Sequence, residues 1–282
     1  MILIRTSGGK SADFPSSWDE LTPRQVRHVW RLQNRCLRSG GSPLELSVSI
    51  LLYLLGIRRL PRARGGLLRE NLYMLCDRCL GFMFPGDGAA LQYTSTVNPM
   101  PCIGFRRGPA DLLQNLTFGE FRHAAAALQA YTRSHDAADL DECVALLWRS
   151  PIRLKANRAG RRCASPGGLA FRLDLKLAKR TSAWRKSLAF AWFCSAMQYL
   201  QTGRLVIDGE TVDLSLLFSS SGSSHGPECG WNDLLVQIAR DGILGNIDMV
   251  DKEPLMSILS IMWCNYKESK RYEETLKAHK SK

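Results

Sequence analysis

The apolar positions of this chain recur mostly at helical spacing and alternate as in strands over only a few short runs. Ile2-Leu3-Ile4 and Ala12-Asp13-Phe14 flank Ser7-Gly8-Gly9-Lys10, a pattern that predicts a short β-hairpin closed by a Gly-rich turn. Thr22-Pro23-Arg24-Gln25 then combines an N-cap residue, a proline at the first helical position and the glutamine of a capping box. A helix is predicted over about 23–38, stopped by Gly40-Gly41. On its wheel Arg24, Arg27, Arg31, Arg35 and Arg38 share one narrow face, with Val26, Val29, Trp30 and Leu37 opposite. Pro43 starts a second helix, about 44–56, apolar on most sides and therefore central to a core. A third follows near 67–80, after a Pro/Gly break set among Arg58, Arg59, Arg62, Arg64 and Arg69.

Residues 85–111 are rich in proline and glycine, which predicts a long irregular connection with room for a hairpin and a domain boundary there. A second capping box, Thr117 to Glu120, opens a helix at about 118–133. His135-Asp136 ends it and caps another, about 137–149, which Pro151 stops. Leu169, Phe171, Leu173, Leu175 and Leu177 alternate with polar or small residues as in a strand, yet Leu, Ala and Lys favour helix; both readings stay open. Trp184 to Leu200 predicts a helix buried nearly all round, and Arg204 to Val212 a hairpin turning on Asp208-Gly209. A Ser/Gly-rich linker at 219–230 precedes two closing helices, about 231–242 and 252–278, with the mixed-charge tail Lys267–Lys282 projecting into solvent. The expected fold is mainly α: a helical core with small β-hairpins at the N-terminus and near 204–214. The expected division is 1–110 and 111–282, or one continuous domain.

Composition changes this picture little. Of 282 residues, 45% are hydrophobic and 23% charged, which suits a folded chain that buries a core. Leu44–Ile57 and Ser187–Leu200 are the longest apolar stretches, and both are too short and too interrupted to span a bilayer. The opening residues lack the pattern of a signal peptide, so the expected location is the cytoplasm, with no membrane partner. The nine cysteines, odd in number and scattered, are then reduced thiols, and Asn115-Leu116-Thr117 is an incidental glycosylation match.

Charge changes it more. The net charge is +12, and the stretch from Arg149 to Lys186 holds twelve basic residues against the single acid Asp174. The excess is therefore local, and 27 Arg against 11 Lys favours phosphate, which a planar guanidinium grips with two hydrogen bonds. The candidate binding residues are Arg153, Lys155, Arg158, Arg161, Arg162, Arg172, Lys176, Lys179 and Arg180, joined by the Arg24, Arg27, Arg31, Arg35 and Arg38 ridge. Phe171 and Trp184 are candidates to stack on bases.

Catalytic signals are thin. Cys76-Asp77-Arg78-Cys79 lacks the second pair that a zinc site needs and the βαβ setting of a redox motif, so it reads as two helix thiols. Glu120-x-x-His123 is half of a di-iron pattern with no second half, and Glu120 already serves the capping box. His135, Asp136, Asp139, Asp141 and Glu142 crowd the start of one helix, where negative charge complements the dipole. None of His28, His123, His135, His225 and His279 sits in a nucleophile motif, and no phosphate loop is present. No catalytic residue, metal or cofactor is expected.

Three short blocks resemble phage and prophage proteins of the tail-assembly or chaperone-like kind from gut bacteria. They are Phe14 to Pro23, Leu116 to Phe121 together with Leu146 to Pro151, and Gly230 to Leu235. The resemblance implies a non-enzymatic helical assembly or scaffold protein of virion morphogenesis that binds a protein partner or itself. The alternative is a nucleic-acid-binding protein using residues 149–186, and the second alternative an enzyme of unrecognised type.

Overall fold

Each of three helices starts where a side chain satisfies amides that its first turn leaves open. Thr22 and Gln25, Ser42 and Glu45, and Thr117 and Glu120 all form reciprocal capping boxes, and Pro23 and Pro43 occupy first-turn positions that need no N–H donor. A computed structural model describes residues 2–5, 11–57, 66–85, 90–151, 169–207, 209–219, 230–242 and 244–280 of the chain. The fold is mainly α with small antiparallel hairpins, as the periodicity predicts.

In chain order the elements are β1 (Ile2–Arg5), β2 (Ser11–Phe14), α1 (Pro23–Ser39), α2 (Pro43–Leu54), α3 (Gly66–Leu80), β3 (Cys102–Ile103), β4 (Arg106–Arg107), α4 (Phe118–Ser134) and α5 (Ala137–Leu147). There follow α6 (Leu169–Lys179), α7 (Ala183–Thr202), β5 (Arg204–Ile207), β6 (Glu210–Asp213), α8 (Ser215–Ser219), α9 (Gly230–Asp241), α10 (Ile247–Val250) and α11 (Leu255–Lys280). Hairpin β1–β2 pairs Ile2 with Phe14, β3–β4 pairs Ile103 with Arg106 around Gly104 at φ +64°, and β5–β6 pairs Ile207 with Glu210.

The chain forms two compact units, residues 1–100 with 181–195 and residues 101–180 with 196–282. The first part of α7 belongs to the unit that holds residues 1–100. No sequence pattern announces this placement, because α7 is apolar on several faces from Leu188 to Leu200 without a break.

The first unit is built on aromatic packing. Trp18 lies 5.4 Å from Trp30 and 5.0 Å from Tyr93, ring centre to ring centre, and all three are buried. Val26, Val29 and Trp30 form the buried face of α1, against which α2 sets Leu46, Ile50 and Leu51. Trp192 of α7 donates its indole N–H to the carbonyl of Thr96 at 3.1 Å. Leu37 departs from the expected apolar face and stands 72% exposed in the last turns of α1, past the buried residues Val26, Val29 and Trp30.

The second unit centres on α4, α5 and α6, which pack in sequence around Phe118, Phe121, Val144, Leu147 and Ala178. Helix α5 is shorter than the expected 137–149. It ends at Leu147, and Arg149 instead pairs its backbone with Arg107, by bonds of 2.8 and 3.0 Å. The open question at 169–177 resolves as helix: Asp174 and Ala178 are buried one turn apart while Leu173 is exposed, the reverse of strand alternation. The N-terminus of α4 docks on the turn before α11, where Phe118 and Gly119 donate to the carbonyls of Glu253 and Asp251 at 2.8 and 2.9 Å. Glu210 of β6 accepts from Trp263 and Lys267 of α11 at 3.0 Å each, and burial ceases along α11 so that residues 268–279 are all exposed. Residues 220–229 of the expected linker lie outside the described residues.

Gly119 leaves no space for a side chain, since a Cβ there would stand 2.9 Å from the Asp251 carbonyl oxygen and 3.0 Å from its Cβ. Gly119→Ala should therefore destabilise the chain by about 1–3 kcal/mol in urea unfolding, the cost of overpacking against backbone. An unchanged midpoint would mean that this junction is loosely held.

A basic helix face as candidate nucleic-acid interface

Helix α1 carries five arginines and a histidine and no acidic residue. Its apolar positions fix which side faces the core, so the arginines must project from the other. Arg24, Arg31, Arg35 and Arg38 are exposed, and among the described residues no carboxylate pairs with any of them. Arg27 departs from the ridge: it is half-buried and donates Nη1 to the carbonyl of Pro99 at 2.9 Å, which makes it a strut of the unit. From Arg24 to Arg38 the face runs roughly 21 Å at the helical rise of 1.5 Å per residue.

Helix α7 adds to this face. The Trp184 ring has the Arg31 guanidinium 4.7 Å from its centre and that of Arg185 at 4.9 Å. The indole's negative face attracts each guanidinium by about 0.5–1 kcal/mol at such a half-exposed site. It thus offsets part of the repulsion between two like charges brought together by separate helices. Trp184 is expected from the sequence to stack on bases; in the fold its ring already serves Arg31 and Arg185. Nothing in the sequence places residue 184 beside residue 31, so this junction was not legible there.

His28 lies within the same face, one helical turn from Arg24 and from Arg31, and stacks on Tyr53 of α2 with ring centres 3.8 Å apart. Partial burial lowers the proton affinity of its imidazole, and Arg31, Arg35 and Arg24 lower it further.

The basic segment 149–186 is sorted by burial. Arg149 is wholly inside the second unit, its Nε 3.4 Å from Oδ2 of Asp174, which is equally buried. The lone acid of the basic stretch is thus the counter-charge of its first residue. Asp174 also accepts from the Ser150 hydroxyl at 2.5 Å and the Ser150 amide at 3.2 Å, while Arg106 reaches the Asp174 carbonyl at 3.4 Å. Burial lowers the proton affinity of the Arg106 guanidinium, and the Asp174 carboxylate acts in the opposite sense. The Phe171 ring, another expected base-stacking group, lies 5.5 Å beneath the Arg149 guanidinium. Arg172, Lys176, Lys179 and Arg180 are exposed on α6 and at its end. Arg153, Lys155, Arg158, Arg161 and Arg162 lie outside the described residues.

The remaining motifs are accounted for locally. Cys76 and Cys79 are buried, and burial pushes the Cys76 thiol up to about 11. Glu120 is buried in its capping box, and Asp136 caps α5 through the Ala138 amide at 2.9 Å. Arg122 of α4 grips Asp251 with two nitrogens and Asn232 of α9 with a third, at 2.8 Å for the shorter bonds. Trp231 meets Phe121 edge-on at 4.6 Å, so the segments 116–121 and 230–235 pack together. Among the described residues no three His, Cys, Asp or Glu side chains converge to hold a metal ion, and no helix is long and apolar enough to cross a membrane. No protein-family model, curated protein or solved structure matches the chain.

Removing the Asp174 carboxylate strands a buried guanidinium, so Asp174→Ala should cost about 3–5 kcal/mol in denaturant unfolding. A loss below 1 kcal/mol, on the order of an exposed pair, would show that water reaches Arg149. Iodoacetamide at mildly alkaline pH should modify exposed Cys102 and Cys264 well before Cys76, whose thiolate fraction is of order one in a thousand there. Equal labelling rates, read by mass spectrometry, would contradict the buried placement.

Proposed function

We propose that this protein binds nucleic acid through the α1 face, with Arg24, Arg31, Arg35 and Arg38 contacting backbone phosphates and Arg185 joining them through Trp184. The observation that carries this reading is a helix face with four exposed guanidinium groups and no carboxylate partner among the described residues. Holding these charges close costs repulsion, which a bound anion relieves. A polyanion does so along its length, since a duplex presents one charge per about 1.7 Å of axis. Guanidinium suits this task because it donates to phosphate oxygens in pairs. Contacts of this kind read the backbone and position the chain without selecting sequence. The exposed Arg172, Lys176, Lys179 and Arg180 supply a second basic surface on the other unit.

The second reading, a virion-assembly protein that binds a protein partner or itself, draws support from the phage-like blocks. Two of them, 116–121 and 230–235, meet through Trp231 and Phe121, and Asn232 bonds Arg122. That pairing serves internal packing, whereas Arg24, Arg31, Arg35 and Arg38 of α1 are exposed and have no carboxylate partner among the described residues.

Binding of a short mixed-sequence DNA duplex, followed by fluorescence anisotropy across salt concentrations, tests the proposal. Five phosphate contacts predict a log–log slope of about −4 to −5, reduced in magnitude by roughly two in the Arg31→Ala/Arg35→Ala double variant. A slope unchanged by that double substitution, or no binding at low salt, would remove the α1 face from the account.

A further inference from the structure

The α1 face contains one side chain whose charge is not fixed. His28 stands between Arg24 and Arg31 on the exposed-to-core margin of the helix, half-buried, with its ring laid on Tyr53 at an interplanar angle of 21°. The charges that act on it come from Arg31, Arg35 and Arg24 of its own helix, all positive; α2 contributes the Tyr53 phenol beneath the ring. Arg185 of α7 lies beyond Arg31, on the other side of the Trp184 contact. Among the described residues no carboxylate acts on the imidazole. The free protein therefore keeps His28 neutral on the alkaline side of the window in which an ordinary imidazole titrates.

We propose that His28 couples occupancy of this face to the uptake of a proton: a bound phosphodiester backbone offsets the neighbouring guanidinium charges, the imidazole then takes a proton, and nucleic acid binds more tightly as the pH falls below neutrality. The inference rests on the α1 reading above and adds its regulation. The sign follows from linkage. A phosphate favours the charged imidazole, so the bound form holds its proton up to a higher pH than the free form. Between those two values binding takes up a proton, and affinity rises as pH falls through that interval. Above it the coupling vanishes, because His28 is neutral in both forms. The four arginines stay charged throughout and supply the pH-independent part. Tyr53 keeps the ring at the face, where a side chain free to swing into water would lose the effect.

The test measures duplex DNA affinity at fixed ionic strength from about pH 7.5 to about pH 5.5 for the wild type, His28→Gln and His28→Asn. Over that range the affinity of the wild type should rise by roughly three- to tenfold more than that of either variant, each compared with its own affinity at the upper end. An NMR titration of the His28 ring protons, assigned by their loss in His28→Gln, supplies a readout that needs no variant to bind. The resonance should titrate at a lower pH in the free protein than in the DNA complex. Equal pH dependence in wild type and variants, or the same titration midpoint with and without DNA, overturns the coupling while leaving α1 as a binding face. Absence of DNA binding by the wild type at any pH and low salt overturns both the coupling and the α1 reading.

Discussion

A carboxylate and a guanidinium removed from water hold each other in place, and much of the second unit is arranged around that pair. Asp174 and Arg149 are both wholly buried, the first on α6 and the second just past the end of α5. Neither charge is tolerable alone in that setting, so α5 and α6 cannot separate without exposing both. Ser150 strengthens the tie by donating twice to Asp174, and the Arg107–Arg149 backbone pairing brings hairpin β3–β4 into it. One acid therefore organises elements that are distant in sequence.

The same pair alters what the basic segment means. Taken as a run of residues it looks like one continuous positive surface, yet its first member is spent inside the fold and Arg185 belongs with the other unit. The arginines divide by partner. Arg149 and Arg106 lie against Asp174, Arg27 is bonded to a carbonyl, and Arg24, Arg31, Arg35 and Arg38 face outward. Only the last group is chemically available to an external anion among those described on α1. The proposed function rests on these outward-facing arginines, and their density on one helix is what nominates that helix.

Local structure was legible wherever a short-range rule governs it. Thr22, Thr117 and Asp136 announce helix starts through their own side chains, and Gly209 and Gly104 lie where hairpins turn. The α1 ridge followed from the 3.6-residue period alone. What could not be read required tertiary context. The alternation at 169–177 mimics a strand because the buried member at its centre, Asp174, is polar, so hydrophobicity points to the wrong residues. Arg106 gave no sign of being buried, and Trp184 offered no hint that its ring would meet Arg31. Leu37 fits the apolar stripe of α1 but is exposed.

The central claim is that the outward arginines of α1 are where an anion lands. Arginine Nε–Hε resonances report this directly when a short DNA duplex is titrated into the isotopically labelled protein. The account predicts that the signals of Arg24, Arg31, Arg35 and Arg38 shift first and saturate together, while the buried Arg149 signal stays in place. Saturating binding that leaves those four unmoved and perturbs arginines elsewhere would contradict it.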